Sequence, residues 1–118
     1  MRRCPLDETA PSRHSALVPE SKDRSIHEVI ARLRTDVGHD AFAVVDHWPA
    51  DLSAVGVAQP HDHRYLVYIS TLQEKEGRYA FQLERPAIDQ DLPFDADPMV
   101  DAATYEELVR EVRRHLSR

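Results

Sequence analysis

The sequence predicts an α+β two-layer sandwich, a four-stranded antiparallel meander covered by an N-terminal and a C-terminal helix in the order α-β-β-β-β-α. Three observations predict it. Residues 64–85 alternate with a period of two on either side of a polar, Gly-containing break, the pattern of a β-hairpin. Two other stretches, near 26–37 and 105–116, space their apolar residues as one helical stripe. Finally, the strands are joined by short links, which favour antiparallel neighbours over crossovers.

Residues 1–24 hold Pro5, Pro11 and Pro19 among scattered charges without periodicity. They are expected to form a flexible arm ahead of a single domain at 25–118. Ser25-Ile26-His27-Glu28 has the spelling of a capping box, and Ile26, Val29, Ile30 and Leu33 follow on one face. Gly38 is suited to the helix end, so a helix is expected over about 26–37.

A first strand is expected over 41–48, with Phe42, Val44, Asp46 and Trp48 on one face and Ala43, Val45 and His47 on the other. Pro49 ends it. The second strand, 53–59, is small and apolar on both faces, which predicts an interior place in the sheet. Pro60 ends that strand, and His61-Asp62-His63 leads into the hairpin, whose loop is Gln73 to Gly77.

From Pro86 to Asp101 the periodicity vanishes, and a long acidic loop is expected, with Leu92, Phe94 and Val100 as apolar anchors beneath it. Thr104-Tyr105-Glu106-Glu107 is a second capping box. It opens a helix with Tyr105, Leu108, Val109, Val112 and Leu116 inward, and its charges match the helix dipole.

The formal net charge of −6 argues against nucleic acid or an anionic membrane as partner and fits a basic protein. No apolar run approaches the roughly 20 residues of a membrane span, and the N-terminus lacks the apolar core of an export signal. A lone Cys4 forms no internal disulfide, and a cytoplasmic location is the simplest expectation. Lys22 and Lys75 are the only lysines among 15 basic residues, and Asn is absent. That bias points to a GC-rich bacterial genome.

No nucleophile elbow, phosphate-binding glycine loop or calcium-loop spelling is present, so no catalytic set emerges. The segments HWPADLSAVGVAQP, RYLVYIST, EGRYAFQLE and TYEELVREVRRHL resemble a loose group of small bacterial proteins, over about 42–116. In size and acidity the chain is also similar to the immunity proteins that neutralise bacterial toxins. Those resemblances imply a non-enzymatic module that binds a basic protein.

The expected binding surface joins Asp46, Trp48 and Asp51 to Asp89, Asp91, Asp95 and Asp97 of the acidic loop, with charge steering the partner and Trp48 anchoring it. Two alternatives remain. His61 and His63, at i and i+2, supply two imidazoles to one side of an extended segment, and His47 would complete a zinc site if the fold brought it near. A structural homodimer joined through the sheet is the other.

Overall fold

The computed structural model describes residues 17–89 and 91–117. Its order is α1 (Arg24–Val37), β1 (Ala43–Val45), β2 (Ala54–Gln59), β3 (Asp62–Ser70), β4 (Arg78–Arg85), β5 (Asp95–Ala96), β6 (Val100–Thr104) and α2 (Tyr105–Leu116). The class is α+β with an antiparallel sheet, as expected, but the sheet has six strands and not four. Strands β1 to β4 form the meander. Strands β5 and β6 both pair with the outer edge of β4, one at Glu84 and Arg85, the other at Arg78 to Phe81. The expected loop at 86–101 therefore completes the sheet. Runs of two and five residues are too short and too polar to display a period, so only the free edge of β4 defines them.

Both helices lie on one face of the sheet. Ile26, Val29, Ile30 and Leu33 of α1 and Leu108, Val109 and Val112 of α2 close over Val44, Val55, Val57, Val67, Ile69, Phe81 and Leu83. In-phase strand residues thus meet the helical stripes, which is why the period-two and period-3.6 patterns agree. Strand β2 is buried along its whole length between β1 and β3, as its composition predicts. Among the described residues, no helix is long and apolar enough to cross a membrane.

The two helix starts behave differently. At α2 the capping box forms: Thr104 Oγ1 accepts from the Glu107 amide at 3.1 Å, and Glu107 accepts from the Thr104 amide at 2.9 Å. The bond from the Thr104 amide, and then the Thr104 hydroxyl, hold the Glu107 carboxyl below its ordinary range. At α1 the Ser25 box does not form. The helix begins two residues earlier, with Asp23 as N-cap, and Asp23 takes the Ser53 hydroxyl at 2.6 Å instead of capping. Ser25 pairs its own hydroxyl with Thr71 at 2.8 Å, tying the helix start to the end of β3. Gly38 closes α1 at φ +133°, a backbone state that strains any other residue.

The expected arm of 1–24 overlaps ordered structure at its end. Val18 packs on the core and Lys22 is buried, while residues 1–16, including Cys4, lie outside the described residues.

Tyr105 joins the helices. Its hydroxyl donates to Asp36 at 2.6 Å, and the Arg32 guanidinium lies 3.7 Å over its ring. Burial, then the bond to Asp36, pushes the phenol well above its ordinary value. Because the folded state holds this proton more tightly, the contribution is intact below the unfolded tyrosine's pKa, about 10, and fades as pH rises above it. Tyr105→Phe is expected to cost about 1 kcal/mol at neutral pH and to flatten the alkaline loss of stability. Urea unfolding at pH 7 and near pH 10.5 checks both; equal alkaline slopes in the two proteins would refute the assignment.

Candidate functional site

The sheet face away from the helices has no helical cover. It is formed by Ala54, Gly56 and Ala58 of β2, Leu66, Tyr68 and Ser70 of β3, and Ala80, Gln82 and Glu84 of β4, all out of phase with the core. Two pieces of chain shelter it in part: Trp48, from the β1–β2 connection, and the 86–99 segment. Between them runs a groove of about 560 Å3, walled by Trp48, Tyr68, Leu66, Pro93, Phe94 and Met99, with His47, His63, Arg64, Gln82 and Glu84 as its polar groups. A volume of this order with mostly apolar walls and few polar groups is the usual form of a binding site.

Trp48 reaches this face because β1 stops at Val45. The expected strand to residue 48 would have put Trp48 beside Phe42 and Val44 on the helical face. Instead the backbone turns after Val45, and the indole lies edge-on to Tyr68 with ring centroids 4.8 Å apart. Gly56 makes room for it. A Cβ there would stand 3.2 Å from the indole, 3.0 Å from Leu66 Cδ1 and 3.1 Å from the Val45 carbonyl.

A buried lysine holds the turn. The Lys22 ammonium donates to Asp46 Oδ1 at 3.0 Å and to the carbonyls of Trp48 at 2.9 Å and Asp51 at 2.7 Å. Asp46 Oδ1 also accepts from the Trp48 amide at 3.1 Å, and Asp51 accepts from the Ser53 amide at 3.0 Å. Asp46 and Asp51, expected on the binding surface, are thus engaged in building the turn that presents Trp48. Sequence reading missed Lys22 because it sits among the charges of an apparently irregular arm.

Three aspartates of the 86–101 segment are similarly occupied. Asp97 and Arg85 form a two-pronged pair at 2.9 Å and 2.9 Å, which holds the Asp97 carboxyl below its ordinary range. Asp95 accepts from the Ile88 amide at 3.2 Å, and Asp89 from the Asp91 amide at 2.9 Å. Asp91 lies at the exposed turn they make. The apolar side chains do the opposite of what was expected. Ile88, Leu92, Phe94, Met99 and Val100 are all substantially exposed, Ile88 at 91%, so they do not serve as anchors under the segment.

Of the three histidines, His47 and His63 line the groove and His61 does not. Among the described residues, no three His, Cys, Asp or Glu side chains form a group able to hold a metal ion. His47 instead stands beside Trp48, with ring centroids 5.5 Å apart. Arg64 is locked to Asp62 by two bonds of 2.8 Å, which lower the Asp62 carboxyl to about 2.

Glu84 is in a different condition. It is half-buried beside Leu66, its partner across the strands. No hydrogen bond to its carboxylate is found among the described residues. Burial pushes its pKa up, and the charge of His47 opposes this in part.

A second cleft, of about 650 Å3, opens between the helices over Tyr105 and Val109, amid Arg32, Arg110, Arg113 and Arg114. Its cations are already employed: Arg32 stacks on Tyr105, Arg113 donates to the Asp36 carbonyl, and Arg114 and Arg110 adjoin Glu111. No protein-family model, curated protein or solved structure matches the chain.

Proposed function

We propose that this chain is a non-enzymatic binding module that receives a basic protein partner on the helix-free face of its sheet. One observation carries the reading. An aromatic groove walled in part by Phe94 and Met99 runs beside a segment that exposes Ile88, Leu92, Phe94 and Met99 within 12 residues. Water-facing apolar side chains concentrated next to a concave aromatic wall are the signature of an interaction surface. The net charge of −6 supports a basic partner. In this reading Trp48 remains the anchor. Asp46, Asp51, Asp95 and Asp97 shape the face and do not contact the partner directly.

Selection of phage-displayed peptides on the immobilised chain tests the proposal, with binding followed through the single tryptophan, Trp48. Enriched peptides are expected to shift its emission and to lose at least about tenfold in affinity, or about 1.4 kcal/mol, when Phe94 and Met99 are both changed to Ser. Peptides that bind this variant as tightly as the wild type would exclude the groove. Light scattering over a dilution series covers self-pairing: a dimer that the same variant dissociates would give this face to a second copy, against the proposal.

A further inference from the structure

The groove holds one carboxylate to which no hydrogen bond is made among the described residues. Glu84 projects from β4 on the helix-free side, between the backbone pairing with Leu66 on one flank and Ala96 on the other. Leu66, Phe94, Met99, Trp48 and Tyr68 supply the surrounding wall. A carboxylate drawn out of water without donors is costly, and proteins ordinarily give such a group a partner. No hydrogen bond from a described residue reaches the Glu84 carboxylate, and His47 acts on it through charge alone. Arg64 is spent on Asp62, the Gln82 amide donates to the Asp97 carbonyl at 3.0 Å, and no hydrogen bond joins His47 or His63 to Glu84. Within the fold it is the Glu84 backbone that is bonded, its carbonyl lying 2.7 Å from His115 Nε2.

We infer that the groove takes an arginine or lysine side chain of the partner, its alkyl stem along Trp48, Tyr68 and Met99 and its cationic head on the Glu84 carboxylate. This rests on the reading of the groove as the binding face, and names what enters it. The chemistry suits the walls: a long apolar stem with a charged tip needs an apolar channel ending in an anion. Aromatic faces near the path add attraction for the cation. The overall acidity of the chain brings such a side chain in, and Glu84 gives it a fixed place.

The probes are the peptide acetyl-Leu-Arg-Leu-amide and its citrulline counterpart, which keeps the shape and removes the charge. Both are titrated into the 15N-labelled chain at millimolar concentration and pH 8, above the ordinary imidazole range, so that histidine charge does not intrude. The arginine peptide is expected to shift the signals of Trp48, Tyr68 and Glu84 and to bind at least fivefold more tightly than the citrulline peptide. In Glu84→Gln that preference is expected to vanish, while the melting temperature holds or rises because an unpaired carboxylate has been removed. If both peptides shift the groove signals equally, the cation assignment fails and the groove survives. If neither peptide moves Trp48 or Tyr68, the groove fails with it. A lowered melting temperature in Glu84→Gln with the arginine preference intact would make Glu84 structural and overturn the inference.

Discussion

Lys22→Ala is expected to lower the free energy of unfolding by about 3–5 kcal/mol, the range for breaking one side of a buried ion pair. The Lys22 side chain is 0% exposed and Asp46 is 16% exposed, so little solvent is at hand to replace the lost partner. Removal of the ammonium orphans Asp46 Oδ1 on that side and deprives two carbonyls, of Trp48 and Asp51, of their donor. Slight wetness at Asp46 places the result toward the lower end. Lys22→Met keeps most of the stem and separates lost packing from lost hydrogen bonding. Urea unfolding of the three proteins measures the effect, and Trp48 emission should move to the red as its turn loosens. A loss below about 0.5 kcal/mol would show that the turn stands without its lysine.

Gly56→Val tests the same assembly from the sheet side. Valine is a good strand former and would help a strand with space to spare. Here its Cβ alone meets the Val45 carbonyl at 3.1 Å, Leu66 at 3.0 Å and the Trp48 indole at 3.2 Å. Two of these neighbours are side chains able to yield; the carbonyl belongs to the paired strand and is not. Overpacking of this kind costs about 1–3 kcal/mol, and two further methyl groups put valine at the top of that range. Gly56→Ala should cost less, since a smaller clash is partly offset by reduced freedom of the unfolded chain. Gly56→Val is expected to expel Trp48 and to abolish the edge-on contact with Tyr68, visible in near-ultraviolet circular dichroism, whereas Gly56→Ala should only shift the indole. An unchanged aromatic spectrum in Gly56→Val would mean that the indole does not rest on Gly56.

Together the two variants approach the groove from opposite directions. One loosens the strap that carries Trp48, and the other fills its seat. Peptides selected on the wild type should bind both variants weakly, whereas Tyr105→Phe, on the helical side, should leave binding unchanged.

Much of this architecture is legible in the chain because it depends on neighbours in sequence. Ile26, Val29, Ile30 and Leu33 repeat with the helical period, Tyr79, Phe81 and Leu83 with the strand period, and each pattern needs only its own face to be buried. Thr104 and Glu107 lie three residues apart and cap a helix by local bonds. Ser25 and Glu28 have the same spelling, yet the Ser25 hydroxyl goes to Thr71, 46 residues on. In this fold the box forms at Thr104 and gives way at Ser25, where the hydroxyl is taken by a distant partner.

What the sequence determined by itself was the set of faces: which side of each helix and each long strand is apolar, and that they make one antiparallel α+β layer pair. The site was decided by tertiary structure alone. The Lys22 ammonium reaches across 24 residues to Asp46, Gly56 admits an indole from another element, and β5 and β6 exist because β4 had a free edge. Periodicity reports burial averaged along a segment. A groove is made where segments remote in sequence meet, so its carboxylate and its aromatic wall become neighbours only once the chain has folded.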